Sequence, residues 1–137
     1  MSRSRTAVLA ALALIAGATG AAVTAAPASA AVPCTVAYSV QNQWDTGFTA
    51  NVTVTNNSAA KSSWAVKWAY AGNQKITNGW NAKITQSGTA VTANNESYNG
   101  TLATGGSVSF GFQASYSGTN ALPTTFTLDG VTCNVDD

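Results

Sequence analysis

The feature that most constrains this chain is an apolar alternation with a period of two residues. Five runs show it, and their apolar members are Val36, Tyr38 and Val40; Phe48, Ala50, Val52 and Val54; Trp64, Val66, Trp68 and Tyr70; Val108, Phe110 and Phe112; and Phe126 with Leu128. Successive side chains of a strand point to opposite faces of a sheet, so each run predicts a strand with one buried face. After residue 31, no stretch combines a helical apolar period with capping residues.

Turn residues separate these runs at regular intervals. The turn segments are Asp45-Thr46-Gly47, Asn56-Asn57-Ser58, Ala71-Gly72-Asn73, Ser87-Gly88-Thr89, Asn99-Gly100 and Gly105-Gly106. Many short strands with such turns predict an all-β fold. We expect a two-sheet antiparallel β-sandwich of the jelly-roll or immunoglobulin-like kind.

The first thirty residues have the features of a secretory signal peptide. Arg3 and Arg5 are followed by an apolar run from Thr6 to Ala18, and Ala28-Ser29-Ala30 is a small-x-small cleavage signal. A membrane anchor is the alternative, but the apolar run is short for a span of about 20 residues. We therefore expect residues 1–30 to be removed and residues 31–137 to form one secreted domain, with no second domain.

Two cysteines, Cys34 and Cys133, lie near the two ends of this domain. Because secreted proteins mature under oxidising conditions, we expect the two to form a disulfide bond. In a simple chain-entropy treatment, closing a loop of this length stabilises the fold by about 4.7 kcal/mol. The domain contains no histidine, and we expect neither a metal nor a cofactor.

The charge balance excludes several classes of partner. Without the signal segment, four lysines face five acidic residues, which leaves one negative charge in excess. We therefore expect no binding to nucleic acid or to an anionic membrane surface. The polar residues are mostly Asn, Gln, Ser and Thr, which suit a neutral partner rich in hydroxyl groups.

The large aromatic residues differ in their sequence surroundings. Trp64 and Trp68 alternate with polar or small residues and are predicted to be core residues. Trp44 follows a polar run and precedes a turn, and Tyr98 lies in a polar loop, so both are predicted to be exposed. Two exposed large aromatics in a small domain indicate a binding surface if they share a face.

The sequence supports two interpretations of Trp80, one with a buried side chain and one with an exposed side chain. Counting by twos from Ile76 places Trp80 and Ile84 on the same face, which favours burial. The same count also places Asn78 there, and Asn78-Gly79 is a sequence that interrupts or bulges a strand, which favours exposure.

Exposed aromatic rings suit a sugar ligand. A β-1,4-linked glucose ring carries its hydroxyl groups around its edge and presents apolar C–H faces, which a flat indole or phenol ring can cover. Asn and Gln side chains near such rings can both donate to and accept from the sugar hydroxyls.

Several segments together resemble one protein family. They are Cys34, Asn42 to Val54 (NQWDTGFTANVTV), Ser63-Trp64, Asn78-Gly79-Trp80, Thr85 to Gly88, Tyr98 to Leu102, Gly111-Phe112 and Cys133. In this combination the chain resembles the bacterial family 2 carbohydrate-binding modules over residues 34–133.

The resemblance implies a β-sandwich with a Cys34–Cys133 disulfide and a flat cellulose-binding strip formed by Trp44, Trp80 and Tyr98. It implies an exposed Trp80 and a buried Trp64. Polar residues near the strip match Asn42, Asn51, Asn78 and Gln113. The third strip position is often Trp in this family, whereas here it is Tyr98.

The residues do not indicate catalysis. Without histidine, a Ser-His-Asp or Cys-His arrangement is absent. A glycosidase needs two carboxylates that face one bond, and the few acidic residues lie in separate turns and in the tail.

We therefore predict a monomeric, non-catalytic module that binds crystalline cellulose, with chitin or xylan as possible ligands. The competing hypothesis is a secreted structural, adhesive or protease-inhibitor-like sandwich that binds another protein. A protein-binding hot spot would gather the exposed rings in a compact cluster, whereas a strip would spread them along one face.

Overall fold

The computed structural model describes residues 32–136, so the predicted signal peptide, residues 1–30, lies outside the described residues. Nine strands and no helix are found in the described part. They are β1 (Cys34–Trp44), β2 (Gly47–Asn56), β3 (Ala65–Ala69), β4 (Lys75–Trp80), β5 (Ala82–Ser87), β6 (Ala90–Asn95), β7 (Ser107–Ser115), β8 (Phe126–Leu128) and β9 (Val131–Asp136).

The strands are hydrogen-bonded in the order β4-β7-β2-β1-β9-β8-β3-β6-β5. The first sheet contains β4, β7, β2 and β1, the second contains β8, β3, β6 and β5, and β9 joins them. Residues Val131 to Cys133 of β9 pair with β8, and residues Asn134 to Asp136 pair with β1. The all-β sandwich prediction is confirmed.

One strand pairing differs from the antiparallel prediction. β9 runs parallel to β1, with Asn134 opposite Thr35 and Val135 opposite Val36. The predicted disulfide between Cys34 and Cys133 is present, immediately before the two paired segments. Because the bond holds these two residues together, the segments that follow them continue side by side in the same direction.

The core lies between the two sheets and is rich in aromatic rings. Trp64 and Trp68 are 2% and 4% exposed, so their predicted burial is confirmed. Trp64 stacks on Phe110 with ring centroids 5.7 Å apart, and Trp68 stacks on Phe112 at 5.8 Å. Such ring pairs stabilise a fold beyond the apolar area that they bury.

Tyr70 of the core and the partly buried Tyr38 share a hydrogen bond. The hydroxyl groups of Tyr38 and Tyr70 are 2.9 Å apart. Burial raises the pKa of Tyr70 to about 12. Burial and the neighbouring Tyr70 also raise the pKa of Tyr38 far above its ordinary value, so both phenols are held in their neutral form.

The side chain of Gln86 on β5 forms two hydrogen bonds to the backbone in and next to β4, and these are the two end strands of this order. The Gln86 Oε1 atom accepts a hydrogen bond from the Ile76 amide at 2.8 Å, and its Nε2 atom donates to the Gln74 carbonyl at 2.8 Å. An unpaired strand edge is open to association with other chains. Gln86 occupies part of this edge with a side chain.

Across residues 32–136, no helix has the length and apolar character needed to cross a bilayer. The same residues contain no group of three or more His, Cys, Asp or Glu side chains placed to hold a metal ion.

Candidate functional site

Six of the seven predicted sugar-binding residues lie in three neighbouring cross-strand rows on the outward face of the first sheet. From β4 across β7 and β2 to β1, the rows are Lys75, Ser115, Gly47 and Trp44; then Asn78, Gln113, Thr49 and Asn42; and then Trp80, Gly111, Asn51 and Ser39. We call these twelve positions the aromatic face. Lys75 is the only charged residue among them.

Trp44 reaches this face through a β-bulge. Before the bulge, Val36, Tyr38 and Val40 point inward, and strict alternation would place residues 42 and 44 inward as well. Gln41 has no partner on β2, so the register shifts between Val40 and Asn42. This shift reverses the alternation, and Trp44 is 42% exposed as predicted.

Trp80 reaches the same face through a second bulge. Ile76 packs against the core, and counting by twos from it predicts an inward Trp80. Thr77 is the extra residue, because Ile76 pairs with Ala114 and Asn78 with the next residue, Gln113. The alternation is reversed from there on, and Trp80 is 43% exposed, as the family resemblance implies.

Each exposed indole lies on a glycine directly across from it. Trp44 pairs with Gly47, and a Cβ atom built on Gly47 would lie 2.9 Å from two carbons of the Trp44 ring. Trp80 pairs with Gly111, and a Cβ atom on Gly111 would overlap the Trp80 indole. A side chain at either glycine would force the indole ring off the sheet.

Tyr98 lies in the loop between β6 and β7 and is 69% exposed, which confirms its predicted exposure. Its hydroxyl group donates to the Oδ1 atom of Asn81 at 3.0 Å. Asn81 follows Trp80 on the side away from the row of Trp44. Along the strand direction, the row of Trp80 therefore lies between the row of Trp44 and Asn81, the residue that Tyr98 contacts.

The Tyr98 loop is fixed to the core by a second asparagine, Asn99. The Asn99 carbonyl accepts the Nε1 hydrogen of the buried Trp64 at 2.8 Å, and its Oδ1 atom accepts the Glu96 amide at 2.7 Å. Its Nδ2 atom donates to the Asn81 carbonyl at 2.7 Å. These bonds join the loop that carries Tyr98 to the turn that follows Trp80.

The other end of the aromatic face has its own hydrogen-bonded support. The Tyr116 hydroxyl donates to the Trp44 carbonyl at 2.8 Å and accepts from Gln43 at 3.0 Å. Asn120 in turn donates to Gln43 at 3.2 Å. The backbone of Trp44 is thus held by residues from the loop that follows β7.

Two carboxylates near the loops are engaged by lysines. Lys61 lies 3.0 Å from Asp129, which also accepts the Ala65 amide at 2.9 Å. Lys83 lies 3.9 Å from Glu96. These carboxylates belong to different ion pairs, so the geometry matches solvated surface charges better than a catalytic pair.

Reasoning from sequence missed three residues of this site. Gly47 was assigned to a turn, whereas it opens β2 beneath Trp44. Gly111 lies between two inward phenylalanines, and a glycine inside a strand is a known sign of close approach by another group. Asn81 carried no sequence signal of its contact with Tyr98.

Known proteins resemble this chain over residues 34–133. The family described as cellulose binding domain matches residues 34–133. Exoglucanase A from Cellulomonas fimi is 52% identical over 103 residues, which cover 74% of this chain but only 12% of that enzyme. This chain therefore resembles a small part of that relative.

Two solved structures share the fold. The chitin-binding domain of Chi18aC from Streptomyces coelicolor superimposes with a TM-score of 0.62 at 39% identity, covering 77% of this chain and 97% of that domain. The cellulose-binding family 2 domain of ScLPMO10C superimposes with a TM-score of 0.52 at 35% identity, covering 68% of this chain and 90% of that domain. The chain therefore belongs to the cellulose binding domain family, the non-catalytic family 2 carbohydrate-binding modules.

Proposed function

We propose that this module binds crystalline cellulose by stacking Trp44, Trp80 and Tyr98 on separate sugar rings of the polysaccharide surface. The observation that carries the proposal is that both tryptophans lie on glycines of one sheet and that Tyr98 is hydrogen-bonded to the residue that follows Trp80. Flat rings held against a backbone present their faces to the ligand at little entropic cost.

The spacing of the rings supports an extended ligand. The row of Trp44 and the row of Trp80 are four residues apart along β7, from Ser115 to Gly111. At about 3.3 Å per residue, this corresponds to about 13 Å. Rings at such a distance do not meet in one pocket and instead contact separate units of a linear chain.

The polar residues of the middle and third rows supply the hydrogen bonds. Asn42, Asn78 and Gln113 lie in the row between the two tryptophans, and Asn51 lies beside Gly111. Amide side chains both donate and accept, as sugar hydroxyls require. We propose that these four residues contact the hydroxyl groups at the edges of the stacked sugars.

The outward face of the second sheet provides a contrast within the same molecule. Its central row contains Thr85, Thr92, Lys67 and Thr127. It carries no aromatic ring, so stacking is possible on the aromatic face and not in this row. This difference supports the assignment of the aromatic face as the binding surface.

We further propose that the module acts as a secreted monomer and binds neither nucleic acid nor membranes. The signal-like residues 1–30, the disulfide and the near-neutral charge support this proposal. Binding through uncharged rings and amides is expected to change little with salt.

The test is depletion of residues 31–137 from solution by microcrystalline cellulose, with chitin and xylan in parallel, at low and high salt. We expect salt-independent depletion by cellulose and a roughly 5- to 150-fold loss of affinity in Trp80→Ala, because one stacked ring contributes about 1–3 kcal/mol. Thr92→Ala, on the opposite outward face, is the matched control and should bind like the wild type.

Stronger depletion by chitin or xylan would leave the aromatic face as the proposed binding surface and would change only the proposed polysaccharide. Absence of depletion by all three polysaccharides, with the disulfide intact and the protein folded, would refute the proposal. A loss of binding at high salt would show that charge, and not stacking, holds the ligand.

A further inference from the structure

The three exposed rings of the module are supported in two different ways. Trp44 and Trp80 each lie against a glycine of a neighbouring strand. Tyr98 belongs to a loop, and no glycine among residues 32–136 has its ring as a nearest neighbour. A ring that is 69% exposed in a loop needs another support if it is to keep one orientation.

Asn81 provides such a support. It is the single residue between β4 and β5, and its φ of 63° lies in the left-handed region, where Asn is tolerated better than most residues. In this conformation its Oδ1 atom accepts the Tyr98 hydroxyl at 3.0 Å. Its carbonyl accepts the Asn99 side chain at 2.7 Å.

Asn81 therefore connects two of the three rings. Its backbone continues directly from Trp80, and its side chain holds the phenol of Tyr98. The tie requires a hydroxyl group at the end of the ring. A Tyr at position 98 can form it, whereas a Phe cannot.

We infer that Asn81 is a positioning residue that holds the Tyr98 ring in line with Trp80 for stacking on the polysaccharide. The inference rests on the proposed function and adds a residue to which no binding role has been assigned above. Asn81 acts through Tyr98, so its contribution depends on the Tyr98 hydroxyl. It does not depend on Trp44, which lies beyond Trp80 at the other end of the face.

The matched variant is Asn81→Gly. Glycine adopts the left-handed conformation without strain and keeps the carbonyl that accepts Asn99, so this variant removes only the side chain that holds Tyr98. Tyr98→Phe removes the other partner of the same bond and keeps the ring. Thermal unfolding of both variants is measured to show that the fold is retained.

The experiment is a double-mutant cycle on the affinity for microcrystalline cellulose. We expect Asn81→Gly and Tyr98→Phe each to weaken binding by about three- to tenfold, and the double variant to be no weaker than either single variant. The factors for Asn81→Gly and Trp44→Ala should multiply, because these residues lie at opposite ends of the face. A merely structural role of Asn81 would not produce this selective coupling to Tyr98.

The outcomes separate the two proposals. If the wild type is not depleted by any polysaccharide, the proposed function fails and the inference fails with it. If the wild type binds but Asn81→Gly binds equally well, or its effect multiplies with that of Tyr98→Phe, only the inference is overturned. If another polysaccharide proves to be the ligand, the same cycle is measured on that polysaccharide.

Discussion

The two faces of strand β7 use tryptophan in opposite ways. On the inward face, Phe110 and Phe112 stack on Trp64 and Trp68, which are almost completely buried. On the outward face, the residue between these two phenylalanines is Gly111, and Trp80 lies over it with 43% of its surface exposed. Three consecutive residues therefore contact three tryptophans.

The difference lies in what faces each indole. A large partner fills the space around an inward ring, so the ring contributes its area to stability. A glycine lets the outward ring approach the backbone and leaves its other face to the solvent, where the proposed ligand would contact it. This comparison predicts that inward and outward changes separate stability from binding.

The largest expected effect is on the inward side. Trp64→Ala should lower the free energy of unfolding by about 3–5 kcal/mol, because it leaves a cavity and removes the donor to the Asn99 carbonyl. Urea denaturation measures the loss. Trp80→Ala is the outward counterpart and should cost less than about 1 kcal/mol. Equal losses in the two variants would contradict the division between the faces.

A second way to perturb the inward side is alkaline pH. In the unfolded chain, Tyr38 and Tyr70 lose their protons near the ordinary tyrosine pKa of about 10. In the folded state both pKa values are raised, so the two hydroxyl groups keep their protons at a higher pH. Stability is therefore complete below pH 10 and should fall by about 1–3 kcal/mol as the pH rises to about 12.

Urea denaturation at a series of pH values from 8 to 12 measures this fall. Tyr70→Phe removes one of the two titrating groups, so its stability should fall less steeply with pH than that of the wild type. Thr92→Ala, on the outward face of the second sheet, serves as the control and should follow the wild-type profile. A flat profile in the wild type would disprove the prediction.

The smallest of the three expected effects comes from a substitution at Gly111, the glycine beneath the exposed Trp80. Gly111→Ala places a methyl group against the Trp80 indole, so the ring must tilt away from the sheet. We expect the affinity for the polysaccharide to fall by about tenfold, while the free energy of unfolding changes by less than about 1 kcal/mol. Ser109→Ala, on the same strand and face, is the control. Unchanged affinity in Gly111→Ala would show that Trp80 does not need its glycine.

Much of the fold was predictable because the inward positions follow a simple alternation. Phe48 to Val54 and Phe110 with Phe112 alternate without interruption, and the structure buries their apolar members. Cys34 and Cys133 were predictable as partners because the domain has no other cysteine. The parallel pairing of β9 with β1 was not predicted, since alternation is the same in both directions.

The aromatic face was harder to predict for a physical reason. Trp44 and Trp80 each follow one extra residue, Gln41 or Thr77, that reverses the alternation. Side-chain polarity alone does not show where a bulge lies, so the alternation could not decide whether Trp80 is buried or exposed. The family resemblance indicated that it is exposed. The contact between Asn81 and Tyr98 depends on a left-handed turn, which also leaves no periodic signal.

The disulfide affects what proteolytic cleavage does to the module. Residues 34–133 form a covalent ring closed through sulfur, and turns such as those at Gly88 and Gly118 lie at its surface. A single cut in such a turn yields two polypeptides that the disulfide holds together in one covalent molecule. A nicked molecule would keep Trp44, Trp80 and Tyr98 in one covalent unit, so separating these residues requires a second cut or reduction of the bond.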